Sequence, residues 1–349
     1  MRRALVAVGC VATLALFACG GSSSDGAQAA APPAEPGEAP PTAAPSPAGS
    51  EVEEPAREAP ADPGPEAAPA RDPDAPLPCP PREQWPEGMA CVLGGTFTLG
   101  DERGRPDEQE PGEVYVDTFY MDLYEVTNEA YGRCIDAGLC ERPMPFRRFR
   151  RPRQPMVAMS WFDAVHHCEM MGRRLPTEAE WERAASGPDH TRYPWGDEPL
   201  GCERASVKDA RGEGCGRLIT SDVGSFEPGH WGLYDMAGNV HEWVQDRYSE
   251  CLRGCDNECG DACFGRNPRG PCGGGLERCP GHGMRSVRGG SWYWPLERSR
   301  TTARRGSGAP NRGPHRFGFR CARDLAAEEG SSPAAAEPAP EPTPISVTN

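Results

Sequence analysis

The chain has 349 residues, 37% of them hydrophobic, and 52 acidic against 37 basic side chains give a formal net charge of −15. Residues 20–90 hold 13 acidic and 3 basic groups, and residues 324–349 hold 5 acidic groups and none that is basic. A middle region of about −2 remains, which excludes a fold of strong net charge, so net charge says little about what that region binds.

Met1-Arg2-Arg3 is a short positive start, and Ala4–Ala18 is an apolar run of about fifteen residues, too short to span a bilayer. It reads as a secretory signal over 1–18. Leu16-Phe17-Ala18-Cys19 resembles a bacterial lipobox, which predicts that Cys19 is acylated and that the protein is lipid-anchored in the cell envelope. A plainly cleaved signal with a coincidental Cys is the alternative. Residues 19–78 are almost all Gly, Ser, Ala, Pro, Glu and Asp and cannot bury enough apolar surface to offset their ordering entropy. They read as a disordered spacer, and 326–349 as a tail of the same character.

The folded region is expected over 79–325. Val114–Asp122 is strand-like, and Thr127 is an N-cap ahead of a helical face of Tyr131, Cys134 and Ile135. Ser160–Asp163 has the spacing of a capping box, followed by the stripe Ala164, Val165, Cys168 and Met171 and a stop at Gly172. Thr177–Glu180 repeats the box before Trp181 and Ala184. Beyond it, scarce periodicity and abundant Gly and Pro predict long loops on short antiparallel strands. Between the first two helices, Phe146–Arg153 holds five arginines with interleaved aromatics. Such clustering suits nucleic acid, but in an exported chain it reads as a solvated loop or a site for an acidic partner or glycan. Of the 37 basic residues only Lys208 is a lysine, for which a GC-rich genome is the simple explanation.

Trp231–Asp246 (WGLYDMAGNVHEWVQD) is the densest stretch. Gly232-Leu233-Tyr234 reads as a short buried strand and Ala237-Gly238-Asn239 as a turn, since Gly and Asn tolerate positive φ. Asp235 and Glu242 could meet on one ion with turn carbonyls completing an oxygen shell, as Ca²⁺ requires, or be two solvated acids at a hydrophobic corner. Setting aside Cys10 and Cys19, fourteen of the sixteen cysteines remain, an even number that suits disulfides in an exported chain. Cys79–Cys91, Cys134–Cys140 and Cys202–Cys215 are plausible local pairs. Cys251, Cys255, Cys259, Cys263, Cys272 and Cys279 fill a Gly-rich insert (251–279) and read as disulfides rather than a metal cluster, with pairing open. The seven histidines, His166, His167 and His241 among them, read as polar surface residues.

GLYDMAGNVHEWVQD resembles the GLYxMxGNVxEW signature of the sulfatase-modifying-factor family, which includes the formylglycine-generating enzymes. GGTFTLG (Gly94–Gly100), VDTFYMDLYEVTNEAY (Val116–Tyr131), PMVAMSWFDAVHHC (Pro155–Cys168), GRRLPTEAEWERAA (Gly172–Ala185), YPWGDE (Tyr193–Glu198), VRGGSW (Val287–Trp292) and FGFRCA (Phe317–Ala322) follow the family order. The resemblance implies a C-type-lectin-like α+β fold and a Cys168–Cys321 disulfide. It implies one structural Ca²⁺ held by Asp235 and Glu242 side chains and by Gly238 and Val240 carbonyls. The second calcium loop of the family is hard to find, with Ser206 where an Asn is expected.

The family's oxidases hold copper(I) on two cysteines, three and eight residues beyond the Ser of GGS. Here that Ser is Ser291, and the matching positions are Trp294 and Ser299, so no catalytic residue carries over and copper is not expected. An iron-dependent branch, resembling the ergothioneine-type sulfoxide synthases, needs histidines from a helical domain for which this chain has no room. The sequence therefore predicts a surface-tethered, non-catalytic binding or scaffold domain, monomeric, for a peptide, glycan or envelope protein and not nucleic acid. The alternative is an active formylglycine-generating or other oxidase, or an iron enzyme, using unrecognised ligands.

Overall fold

The computed structural model describes residues 75–143, 146–252, 259, 262–275, 279–308, 310–311 and 313–325. The expected signal, Cys19, the spacer up to residue 74 and the tail 326–349 lie outside the described residues, as does Cys255.

The strand expected over Val114–Asp122 is two, β3 (Gly112–Val116) and β4 (Phe119–Asp122), with Asp117-Thr118 between them. At this break side chains take over from ladder bonds: the Gly94 N–H donates to Thr118 Oγ1 at 3.1 Å, and Asn267 Nδ2 donates to Asp117 at 2.7 Å. The two halves consequently enter different sheets. β3 pairs antiparallel with β2 (Gly95–Leu99) and parallel with β6 (Gly265–Arg266). β4 lies between β1 (Met89–Val92) and β10 (Ala322–Asp324), antiparallel to both. A third sheet runs β8 (Arg304–Ser307), β7 (Arg285–Arg288), β5 (His241–Arg247), β9 (Phe317–Gly318), with β9 parallel to β5. The antiparallel expectation thus fails at β3–β6 and β5–β9.

All three predicted helices form where their caps stand. Thr127 accepts the Ala130 N–H at 3.1 Å and opens α1 (Asn128–Asp136). Ser160 and Asp163 exchange bonds of 3.0 and 2.9 Å at the start of α2 (Trp161–Met170), and Thr177 and Glu180 do so at 3.1 and 2.8 Å for α3 (Glu178–Ser186). Each box satisfies two N–H groups that a helix start leaves unpaired. Every residue of α3 is buried, and it touches β2, β3, β5 and β7. The buried stripe of α2 is Trp161, Ala164, His167 and Cys168. Met171 is 46% exposed, contrary to expectation, because it is the C-cap and Gly172 (φ 65) turns the chain away there.

The expected Gly232–Tyr234 strand is also corrected. Trp231 takes a left-handed φ of 62 within a 3₁₀ turn, His230–Gly232, and the Gly229 N–H donates to Leu233 O at 2.9 Å, folding the segment on itself. Cys168 is joined to Cys321, closing a loop of 153 residues, and Cys79–Cys91, Cys134–Cys140, Cys202–Cys215, Cys259–Cys263 and Cys272–Cys279 are bonded. Around Cys168–Cys321 pack Trp161, Trp243, Phe317 and Phe319, while Trp181, Val116, Met121 and Val244 centre a second cluster.

Arginine serves inside this fold. Arg320, Arg288, Arg304 and Arg300 are buried against Glu242, Glu182, Glu178 and Glu108. A guanidinium can fork onto a carboxylate with two bonds where an ammonium gives a point charge, so part of the arginine bias has a structural use.

Candidate functional site

The turn at Ala237-Gly238-Asn239 organises the site. Gly238 (φ 80) lies so close to Ser206 that a Cβ would sit 2.5 Å from the Ser206 carbonyl oxygen, so only glycine fits. Asn239 (φ 51) accepts the Ser221 N–H at 3.0 Å through its side chain, and its carbonyl accepts the Trp292 N–H at 2.9 Å. The turn thereby fixes the GGS segment beside the start of β5.

Asp235, Gly238, Val240 and Glu242 all lie along this turn and its exit. Asp235 Oδ2 accepts the Gly224 N–H at 2.7 Å. Glu242 is not open: Arg320 reaches both its oxygens, at 2.7 and 2.8 Å, and Trp181 Nε1 donates to Oε2 at 2.8 Å. Glu125, which the sequence reading missed, is buried here too and accepts the Val240 N–H at 3.1 Å. Burial raises the Asp235 carboxyl to about 6, with Glu242 adding repulsion. Burial, then Asp235 and Glu242, push Glu125 well above the carboxylate range. Three buried carboxylates outweigh the Arg320 guanidinium and would attract a cation by charge, but their oxygens do not all converge within ligating distance of one another. Among them Glu242 would supply charge rather than a vacant ligand atom.

The copper position does not fit copper. A Cβ on Gly290 (φ 71) would meet Ser299 Oγ at 2.0 Å, so GGS and Ser299 are packed together, with Ser299 wholly buried. Copper(I) prefers thiolates, and indole and hydroxyl occupy the two positions. Every described cysteine is bonded in a disulfide. Ser291 and Ser299 hydroxyls are buried with no hydrogen-bond partner.

Aromatic rings and arginines surround the position instead. Trp292 lies 5.6 Å from both Phe149 and His315, and Phe146 lies 5.4 Å from His315, measured between ring centres. The Phe146–Arg153 segment is therefore docked on the GGS face, rather than being a wholly solvated loop. Beside it a cleft of about 460 Å³ is lined by Tyr131, Ile135, Phe146, Phe149, Met156 and Val157. Trp294 is flanked by two guanidiniums, Arg305 at 5.3 Å and Arg298 at 6.0 Å from the ring centre, and Arg316 lies 5.5 Å from Tyr293. His241 and His167 are buried, against the expectation of surface histidines. Desolvation comes first among the causes that hold His241 down at about 3 and His167 at about 4. A larger cleft of about 510 Å³ lies elsewhere, where Asp117, Glu180 and Asp324 are each paired with arginine.

A family described as "Sulfatase-modifying factor enzyme 1-like domain" matches residues 76–325. The chain belongs to the sulfatase-modifying-factor family. This domain is 32% identical to the formylglycine-generating enzyme of Thermomonospora curvata, over 68% of this chain and 94% of that one. It is 33% identical to the serine/threonine-protein kinase pkn1 of Chlamydia pneumoniae, over 68% of this chain but only 38% of the kinase's length. Among solved structures it resembles PvdO from Pseudomonas aeruginosa, with a TM-score of 0.55 and 26% identity, covering 68% of this chain and 94% of that one. The loop-rich α+β architecture is the C-type-lectin-like fold of the sulfatase-modifying factors.

Proposed function

We propose that this sulfatase-modifying-factor domain is a non-catalytic binding module of the cell envelope, tethered through an acylated Cys19. One observation carries the reading: Trp294 and Ser299 stand where the family's oxidases hold copper thiolates, and the described cysteines are bonded elsewhere. Activation of oxygen on copper(I) and capture of a substrate thiol both need a free thiolate pair there. The formylglycine-generating activity named for the relative in Thermomonospora curvata therefore does not pass to this chain.

The face supplies contact chemistry instead. Tyr293 is 38% exposed beside Trp294, with Arg298, Arg305 and Arg316 around them. Rings flanked by guanidiniums suit an acidic peptide, a glycan or an envelope protein, recognised by stacking and charge. A structural Ca²⁺ at the Asp235–Glu242 turn would hold the Asn239 turn, and through it Trp292, in place.

Presenting the full chain to arrays of acidic peptides and envelope glycans tests the reading. Tyr293→Ala with Trp294→Ala should release what the wild type retains, and unchanged retention contradicts it. The anchor has its own test: Cys19→Ser should move the protein out of the membrane fraction, and a variant still there after a carbonate wash places the anchor elsewhere.

A further inference from the structure

A small recess opens beside Trp294, on the face read above as the ligand surface. His241 and Val287 contribute from β5 and β7, Arg305 from β8 and Ala303 from just before it, Arg298 from a 3₁₀ turn, Leu296–Ser299, and Arg105 from a flanking loop. The recess measures about 20 Å³, room for one oxygen-sized group but not for a whole ligand.

The recess is lined by polar atoms that the fold leaves unused. His241 is 4% exposed; the Arg288 backbone lies within weak hydrogen-bonding reach of one ring nitrogen, and the other is buried without a partner. Trp294 Nε1 is likewise buried and unpartnered. Buried polar groups without partners are costly and rare in folded proteins. Two of them meeting at one cavity call for a ligand that accepts from indole and pairs with imidazole.

The charge around the recess has one sign. Arg304, also on its wall, is committed to Glu178 at 2.7 Å, and Arg105 stands 3.7 Å from Asp107. Arg298 and Arg305 have no carboxylate partner among the described residues, and they are held beside the recess by the Trp294 ring. Asp107 and Glu297, acids next to these segments, do not line it. Burial, then the neighbouring guanidiniums of Arg316, Arg298 and Arg105, lower Arg305.

We propose that this recess binds a tetrahedral oxyanion of the phosphate or sulfate class, one oxygen lodged against His241 and Trp294 and the rest facing Arg298, Arg305 and Arg105. A carboxylate is satisfied by one guanidinium fork. Several arginines converging on one mouth match a dianion with more oxygens. The mouth is open, so the anion can be free or carried as a monoester on a larger ligand.

The proposal rests on the reading of this face as a binding surface, yet its test is separate from catalysis. Calorimetric titration of the full chain uses inorganic phosphate, inorganic sulfate, glycerol phosphate and acetate at matched ionic strength. Saturable one-to-one binding of phosphate and sulfate is expected, at least tenfold tighter than acetate. Arg298→Gln with Arg305→Gln should weaken it at least tenfold, and the exposed Arg298→Gln alone should weaken it measurably should the double variant misfold. His241→Phe should weaken binding without lowering the melting temperature, whereas Arg147→Gln with Arg148→Gln should leave binding unchanged. Glycerol phosphate binding as well as phosphate points to an ester-borne anion, and binding of the inorganic ions alone to a free one. No saturable binding, acetate binding equal to phosphate, or affinity that survives the Arg298 and Arg305 substitutions overturns the site. Formylglycine formation would contradict the non-catalytic reading while leaving the anion result standing.

Discussion

Arg320 closes on Glu242 through two bonds, Nη2 to Oε1 at 2.7 Å and Nε to Oε2 at 2.8 Å, with both side chains out of reach of solvent. The pair fastens the FGFRCA segment to the start of β5, and Trp181 of α3 adds a third donor. Removing one partner of such a pair strands the other charge, so Glu242→Gln should cost about 3–5 kcal/mol. For a domain of this size that lowers the melting temperature by on the order of 10 °C. A variant that melts within about 2 °C of the wild type would show that the pair contributes little.

The proposed calcium would act on the same cluster. Chelator should lower the melting temperature of the wild type, and added Ca²⁺ should restore it, because the cation offsets the repulsion among Glu125, Asp235 and Glu242. Asp235→Asn should blunt that response. Melting curves that coincide with and without chelator count against the site.

The acid side of the stability profile should report His167, which stacks on Tyr131 at 5.1 Å and meets Phe319 edge-on at 5.4 Å. Its pKa is lowered from 6.5 to about 4, first by burial and then by Arg173 and His166. The folded state binds its proton less readily than the unfolded state. Its contribution is therefore present above pH 6.5 and is lost as pH falls toward 4. His167→Phe should flatten the melting temperature over that window and leave it nearly unchanged at pH 8. An equally steep acid limb in the variant assigns the loss to other groups.

The Cys168–Cys321 bond spans 153 residues. In the chain-entropy model, closing such a loop stabilises by about 5 kcal/mol. Replacing both cysteines by Ala should lower the denaturant midpoint accordingly, and free thiol at either position in non-reducing peptide maps of the wild type contradicts the pairing.

What the sequence made legible, it made legible locally. Thr127 announces its helix as a lone N-cap, Ser160 and Thr177 announce theirs because a cap and its N3 acid lie within four residues, and Gly238-Asn239 announces its turn because few other residues accept its φ values. His167 was hidden by its polar label, although it stands three residues beyond Ala164 and so falls on the same helical stripe. Residues on both faces of β5 are buried, so alternation gave His241 no signature. The arginine forks were illegible for a different reason: Arg300 meets Glu108 across 192 positions, a pairing that no local pattern encodes. Glu125 joined the cation turn unannounced for the same reason, 115 positions from Val240.

The binding-module account stands or falls on the absence of a working thiolate pair near Gly289-Gly290-Ser291. The most direct measurement incubates the full chain with copper, oxygen and a sulfatase-type CxPxR peptide and follows the peptide by mass spectrometry. The account predicts an unchanged peptide mass at every protein concentration. Conversion of the cysteine to formylglycine, at a rate proportional to the protein, would contradict it and send the search for the reactive thiol to Cys272 and Cys279.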